Sequence, residues 1–163
     1  MYDGNTLEMM LFCLWIYLPG FLVNTFAMMW GKWLPKTGYG PWPIDGGRNW
    51  KDGNRILGDG KTWNGLIGGA LTSGLMSMLI VMQMGEPTAM SDTSATIFIN
   101  PLTGYEGNWW DTGSHLTSAF ILGTFLGFSC LVGDSTGSFF KRRRGLKREG
   151  DVSSKAPLLD TLP

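Results

Sequence analysis

Two stretches of the chain concentrate the residue types that handle phosphate. From Pro43 to Thr62 it reads PIDGGRNWKDGNRILGDGKT, with five glycines, four basic residues and the aspartates Asp45, Asp52 and Asp59. Glycine lets backbone N–H groups crowd an anion with no side chain in the way. Lysine and arginine add charge, while aspartate can hold Mg²⁺ or brace a basic neighbour. The second stretch, GDSTGSFFKRRRGLK, places Asp134 directly after an apolar run. If a helix continues through it, Asp134, Ser138 and Lys141 fall at i, i+4 and i+7 on one face, which Gly123 and Gly127 extend. An acid, a hydroxyl and a cation on one face suit a phosphate-rich ligand beside a divalent ion. Simpler readings stand next to these. The loop could serve only as a charged topology anchor, and Lys141–Arg144 only as a juxtamembrane cluster attracting anionic headgroups. Gly60-Lys61-Thr62 is not a phosphate-binding P-loop, because the first glycine of that motif would fall at Arg55.

The elements that must position these residues are membrane spans. Three apolar segments, about 7–30, 65–84 and 116–133, approach the ~20 residues a helix needs to cross hydrocarbon. None shows the polar stripe of a soluble helix. The Lys and Arg residues are asymmetric. Six lie between spans one and two, seven follow span three, and the N-terminus and 85–114 hold none. Basic residues remain cytoplasmic, so 31–64 and 134–163 are expected inside and 85–114 outside. The first span lacks the basic start and small-residue cleavage site of a signal peptide. Trp30, Trp33, Trp63, Trp109 and Trp110 suit an interfacial belt. Gly65 with Gly69, and Gly123 with Gly127, suit close helix approach. Pro19 is expected to kink span one.

Composition narrows the class further. The 163 residues suffice for one domain, with 44% apolar and 16% charged residues and thirteen basic groups balancing thirteen acidic ones. That balance excludes a nucleic-acid arm. One histidine and two cysteines, both in apolar runs, exclude a zinc cluster and a disulfide framework. The expected fold is an all-α integral membrane protein of three transmembrane helices, a single domain with a Gly/Asp-rich cytoplasmic loop and a basic cytoplasmic tail.

The segments PIDGGRNWKDGNRILGDGKTWNG, GDSTGSFFKRRRGLKR and PLLDTL resemble the CDP-archaeol synthases, archaeal cytidylyltransferases of ether-lipid synthesis. Asn24 matches an asparagine associated with that family. The pattern GDxxGSFxKRR is shared more broadly with CDP-diacylglycerol synthases. The resemblance implies that CTP and 2,3-bis-O-geranylgeranylglycerol 1-phosphate give CDP-archaeol and pyrophosphate with Mg²⁺. It implies a multi-pass protein of the cell membrane, its active site on the cytoplasmic side. The full family has five membrane helices, so this chain reads as a C-terminally shortened member. Some relatives also carry an acid where Pro163 stands.

Carried over by motif, Asp134 and Asp160 are expected to hold the metal. Asp134, Lys141 and Lys61 form the catalytic set, with Lys141 and Arg142 on phosphate oxygens and Lys61 and Arg55 reaching from the loop. Gly58 and Gly60 would present N–H groups, Asp59 would brace Lys61 or touch the cation, and Ser138 would donate to a phosphate. Asp45, Thr62 and Asn24 complete the CTP-binding candidates. The isoprenoid chains would lie along Gly123 and Gly127. Expected partners are CTP, the isoprenoid lipid and the bilayer, with a homodimer admitted and nucleic acid excluded. The alternatives are the same chemistry on phosphatidic acid and, in another class, a non-catalytic membrane assembly protein with a lipid-binding tail.

Overall fold

The computed structural model describes residues 6–84, 102 and 107–145. They form three long helices: α1 (Thr6–Trp33), α2 (Trp63–Met84) and α3 (His115–Arg143), with a 3-10 turn at Leu34–Thr37 after α1. All three are long and apolar enough to cross a membrane. This is the all-helical membrane architecture expected, with helix ends that differ from the apolar runs. α3 extends ten residues past the apolar run, to Arg143, because Asp134–Arg143 contains nothing that breaks a helix except Gly137. α1 runs through Pro19 unbroken, and the carbonyl of Pro19 accepts a 3.5 Å hydrogen bond from Ser73 Oγ of α2.

α2 lies between the other two helices and packs on both, while α1 and α3 meet over a smaller surface. The exposed flanks carry Leu14, Phe21, Leu71, Leu79, Phe125 and Leu126, as expected of helices whose solvent is lipid. Apolar burial gives no drive for helices to associate in hydrocarbon, so close packing must supply it. Small residues allow that approach. A Cβ on Gly65 would lie 2.7 Å from the carbonyl oxygen of Ala27, and one on Gly123 3.2 Å from the Cα of Gly74. The Gly123–Gly127 face is therefore filled by Ser77, Gly74, Ser73 and Ala70 of α2. It cannot hold isoprenoid chains as expected, because backbone-to-backbone packing leaves no room for them. Trp30 spans the α1–α2 seam, covering Gly68 and donating to Thr72 Oγ1 at 2.8 Å.

The packing makes a contrast between two glycines. Gly65→Ala drives a methyl into backbone and is expected to cost about 1–3 kcal/mol. Gly20, with nothing within 4 Å, should accept alanine without loss. Melting temperatures of the two variants in one detergent check this.

Candidate functional site

The loop joining α1 to α2 is built around one carboxylate. Asp45 has a side chain with no exposed area. It accepts five hydrogen bonds: from the N–H groups of Gly47 (3.1 Å), Leu57 (3.0 Å) and Gly58 (2.9 Å), and from Arg55 Nε (3.2 Å) and Nη2 (2.9 Å). The loop is further closed by antiparallel bridges Pro43–Thr62 and Asn49–Arg55. Burial pushes the Asp45 carboxyl up, but the bonds from Arg55, Leu57, Gly58 and Gly47 outweigh it and hold the group well below the usual carboxylate range. The Asp45 and then the Asp59 hydrogen bonds raise Arg55 in turn. Asp59 Oδ1 lies 2.7 Å from Arg55 Nη2, so Asp59 braces Arg55, not Lys61 as expected. Both Asp45 and Arg55 thus face into the loop and form no part of the cavity wall described next.

A cavity of about 520 Å³, with mostly apolar walls into which a few charged and polar groups are set, opens where α1, the loop, the start of α2 and α3 meet. Asn24, Gly31 and Lys32 enter it from α1, Asp59, Gly60, Lys61 and Thr62 from the loop, and Asp134 and Ser135 from α3. Lys61 pairs with Asp134 across it, a contact spanning 73 residues of sequence. The expected convergence of the glycine-rich loop with Asp134 is present in this ion pair. Thr62 Oγ1 accepts the N–H of Gly65 at 3.1 Å, capping α2 and leaving that helix N-terminus at the cavity edge, a favourable place for anions.

Three candidates sit behind the wall. Ser138, Lys141 and Arg142 are buried on the inner face of α3, and none lines the cavity. The Arg142 guanidinium lies against Gly58, where a Cβ would fall 2.1 Å from Nη2. Its Nε is buried with no hydrogen-bond partner among the described residues. Asp160 lies outside the described residues. Sequence reasoning passed over Arg143, which pairs with Asp52, donates to the carbonyl of Arg55 at 2.6 Å and covers the Phe139 ring at 5.2 Å. It also passed over Lys32 and Ser135 in the cavity wall. Arg143 was hidden in a run of like residues, and no pattern distinguishes the arginine that clasps the loop from its neighbours.

The donor set suits a divalent cation held jointly with a ligand's phosphates. Among the described residues no three His, Cys, Asp or Glu side chains form a closed metal cage. Mg²⁺ typically uses one or two carboxylates and substrate phosphates rather than such a cage. Asp134 offers hard oxygens that already attract a cation, Lys61, and Asp59 presents a carboxylate to the same cavity.

Removing the Asp45 carboxylate takes the enclosed partner from the Arg55 guanidinium and the acceptor from three N–H groups. Asp45→Ala is expected to cost about 3–5 kcal/mol, far more than Asp59→Ala, whose carboxylate is 70% exposed. The folded group is depressed, so its contribution is fully present above the unfolded aspartate value of about 3.9. It is lost as pH falls through the lower folded value. The stability gap between wild type and Asp45→Ala should therefore stay flat from about pH 5 to 8 and narrow below about pH 4, as read by thermal melts across pH.

A family model of CDP-archaeol synthase matches residues 6–104, and one of the cytidylyltransferase family matches 58–155. CDP-archaeol synthase of Thermococcus gammatolerans is 36% identical over 144 residues, which cover 88% of this chain and 65% of that protein. The Methanosarcina mazei enzyme of the same name is 37% identical over 145 residues, 89% of this chain and 68% of the relative. The chain thus spans slightly less than two thirds of the Thermococcus relative. A solved structure described as an intramembrane enzyme for archaeal membrane lipids biosynthesis aligns with 92% of this chain and 68% of its own, at 27% identity and a TM-score of 0.55. Helices, loop and sequence agree, and the chain belongs to the CDP-archaeol synthase family.

Proposed function

We propose that this membrane protein transfers a cytidylyl group from CTP to 2,3-bis-O-geranylgeranylglycerol 1-phosphate, with Mg²⁺, giving CDP-archaeol and pyrophosphate. A phosphate oxygen of the lipid attacks the α-phosphorus of CTP. The new P–O bond forms as the bond to the β-phosphate oxygen breaks, and its electron pair leaves with pyrophosphate. The observation that carries this reading is the meeting of Lys61 and Asp134 in a cavity at the end of the membrane helices. That cavity adjoins the N-terminus of α2 and a glycine-rich loop.

The attacking phosphomonoester carries about −1.5 to −2 charge and needs little help from a general base. The difficulty is bringing two polyanions together and holding them in line. Lys61 and Lys32 supply cationic charge inside the cavity. The Gly60 backbone and the α2 N-terminus supply fixed donors that need no reorganisation during reaction. Asn24, reaching in from α1, is placed to orient a polar portion of a ligand. Asp45 and Arg55 act by shaping the loop, and Arg142, held against Gly58, supports the phosphate-facing side from behind. Asp134 would hold the metal, with Asp160 as its partner. Mg²⁺, when bound, supplies charge neutralisation on the phosphate oxygens around the reacting phosphorus. The Lys and Arg asymmetry supports a cytoplasmic position for the loop and the end of α3, in the cell membrane where the lipid substrate resides.

In the detergent-purified protein, Asp134→Asn is expected to lower CTP-dependent transfer at least a hundredfold while the melting profile stays cooperative. Retention of most activity would remove Asp134 from the site. Feeding phosphatidic acid in place of the ether lipid should give a much lower kcat/KM; equal use of both would shift the assignment to the diacylglycerol branch. Gly58→Ala should raise the KM for CTP by displacing Arg142. Gly53→Ala, also at positive φ but with nothing within 4 Å, should lower stability alone.

A further inference from the structure

Lys61 lies on the very carboxylate that the proposed reaction needs for its metal. Its backbone is fixed on both sides, the N–H donating to the Gly58 carbonyl at 3.1 Å and the carbonyl accepting from Ile44 at 2.9 Å. The side chain therefore extends from a rigid base toward α3. Asp134 follows the apolar run of α3, where an uncompensated carboxylate is costly, and the ammonium offsets that charge. Two other charged groups face the same cavity. Asp59 is engaged by Arg55, and Lys32 enters from α1.

We infer that Lys61 is a stand-in cation that reserves Asp134 and admits a divalent metal only together with a triphosphate. The inference rests on the metal role proposed for Asp134. A metal ion arriving alone must displace the ammonium and leave it without an anion. A metal arriving with a nucleotide brings phosphate oxygens that accept the displaced ammonium. Metal and nucleotide thereby favour each other's binding, and the coupling is reciprocal. Lys61 is in this sense a positioning residue for the metal site as well as a phosphate contact.

Mn²⁺ is the probe, its free concentration read by electron paramagnetic resonance on the detergent-purified protein without nucleotide. Wild type is expected to bind Mn²⁺ weakly and to show no rise in melting temperature when it is added. Lys61→Gln should bind Mn²⁺ about tenfold more tightly, within the usual range of site coupling. Its metal-free melting temperature should fall and be restored by Mn²⁺ alone. Lys61→Arg keeps the charge and should remain weak, as in wild type. Unchanged Mn²⁺ affinity in Lys61→Gln, or equal tightening in Lys61→Arg, would reduce the pair to a structural salt bridge and overturn the inference. The double variant Lys61→Gln/Asp134→Asn separates the two ideas. If it binds Mn²⁺ as tightly as Lys61→Gln, the metal role of Asp134 itself is wrong; if its binding is lost, that role stands whatever the single variants show.

Discussion

A single enclosed carboxylate decides whether the α1–α2 loop has a shape at all. The loop is rich in glycine and carries four basic and three acidic side chains between Pro43 and Thr62, a composition that by itself favours an open segment with no apolar core. Asp45 reverses this by gathering three N–H groups and the Arg55 guanidinium onto two oxygen atoms. A buried carboxylate is tolerable only when its lone pairs are used and its charge is matched, and both conditions are met here. The left-handed φ of +84° at Gly58 lets its N–H turn toward Asp45 while its open α-carbon face receives Arg142. The site is therefore organised by a residue that does not line it.

From that hub the order spreads to the helices. Arg143 at the end of α3 grips the loop through Asp52 and the Arg55 carbonyl, and Trp50 meets Phe139 edge-on with ring centroids 5.5 Å apart. Lys61 ties the other end of the loop to Asp134, one helical stretch earlier on α3. The loop is thus clasped to α3 at two heights, and α3 is held to α2 by close contact of small residues. An error in helix spacing would be carried directly into the cavity, because the same α3 face that packs Gly123 and Gly127 on α2 continues into Ser138, Lys141 and Arg142.

What sequence made legible follows from which physical signals are local. The three helices were readable because bilayer thickness fixes the length of an apolar run, and the meeting of Asp134 with the loop was readable because the placement of Lys and Arg put both at the same end of the helices. Roles inside the loop were not. Asp45, Asp52 and Asp59 share one composition, yet one is enclosed, one pairs with Arg143 and one braces Arg55. Asp45 and Asp52 are set apart by bonds to partners 10 and 91 residues away, which no local pattern records, while Asp59 meets Arg55 only four residues away. The same limit explains Arg55, expected on a ligand and found between two carboxylates. It also explains the lipid chains, assigned to a glycine face that α2 fills.

The distribution of charge around the cavity is consistent with this division of labour. Where acid and base are paired permanently, as at Asp45 and Arg55, the pair is shielded and its bonds are multiple, so exchange for an outside ligand would strand several donors at once. Where the pair is Lys61 and Asp134, each side chain retains 24% and 30% exposure, and Lys61 is a flexible point charge rather than a planar fork. Such a contact exchanges at lower cost than the enclosed pair, because both partners are already partly solvated and few other bonds depend on them. The two pairs therefore divide the work: the locked one holds the loop's form, and the yielding one keeps an acid at the end of an apolar run neutralised.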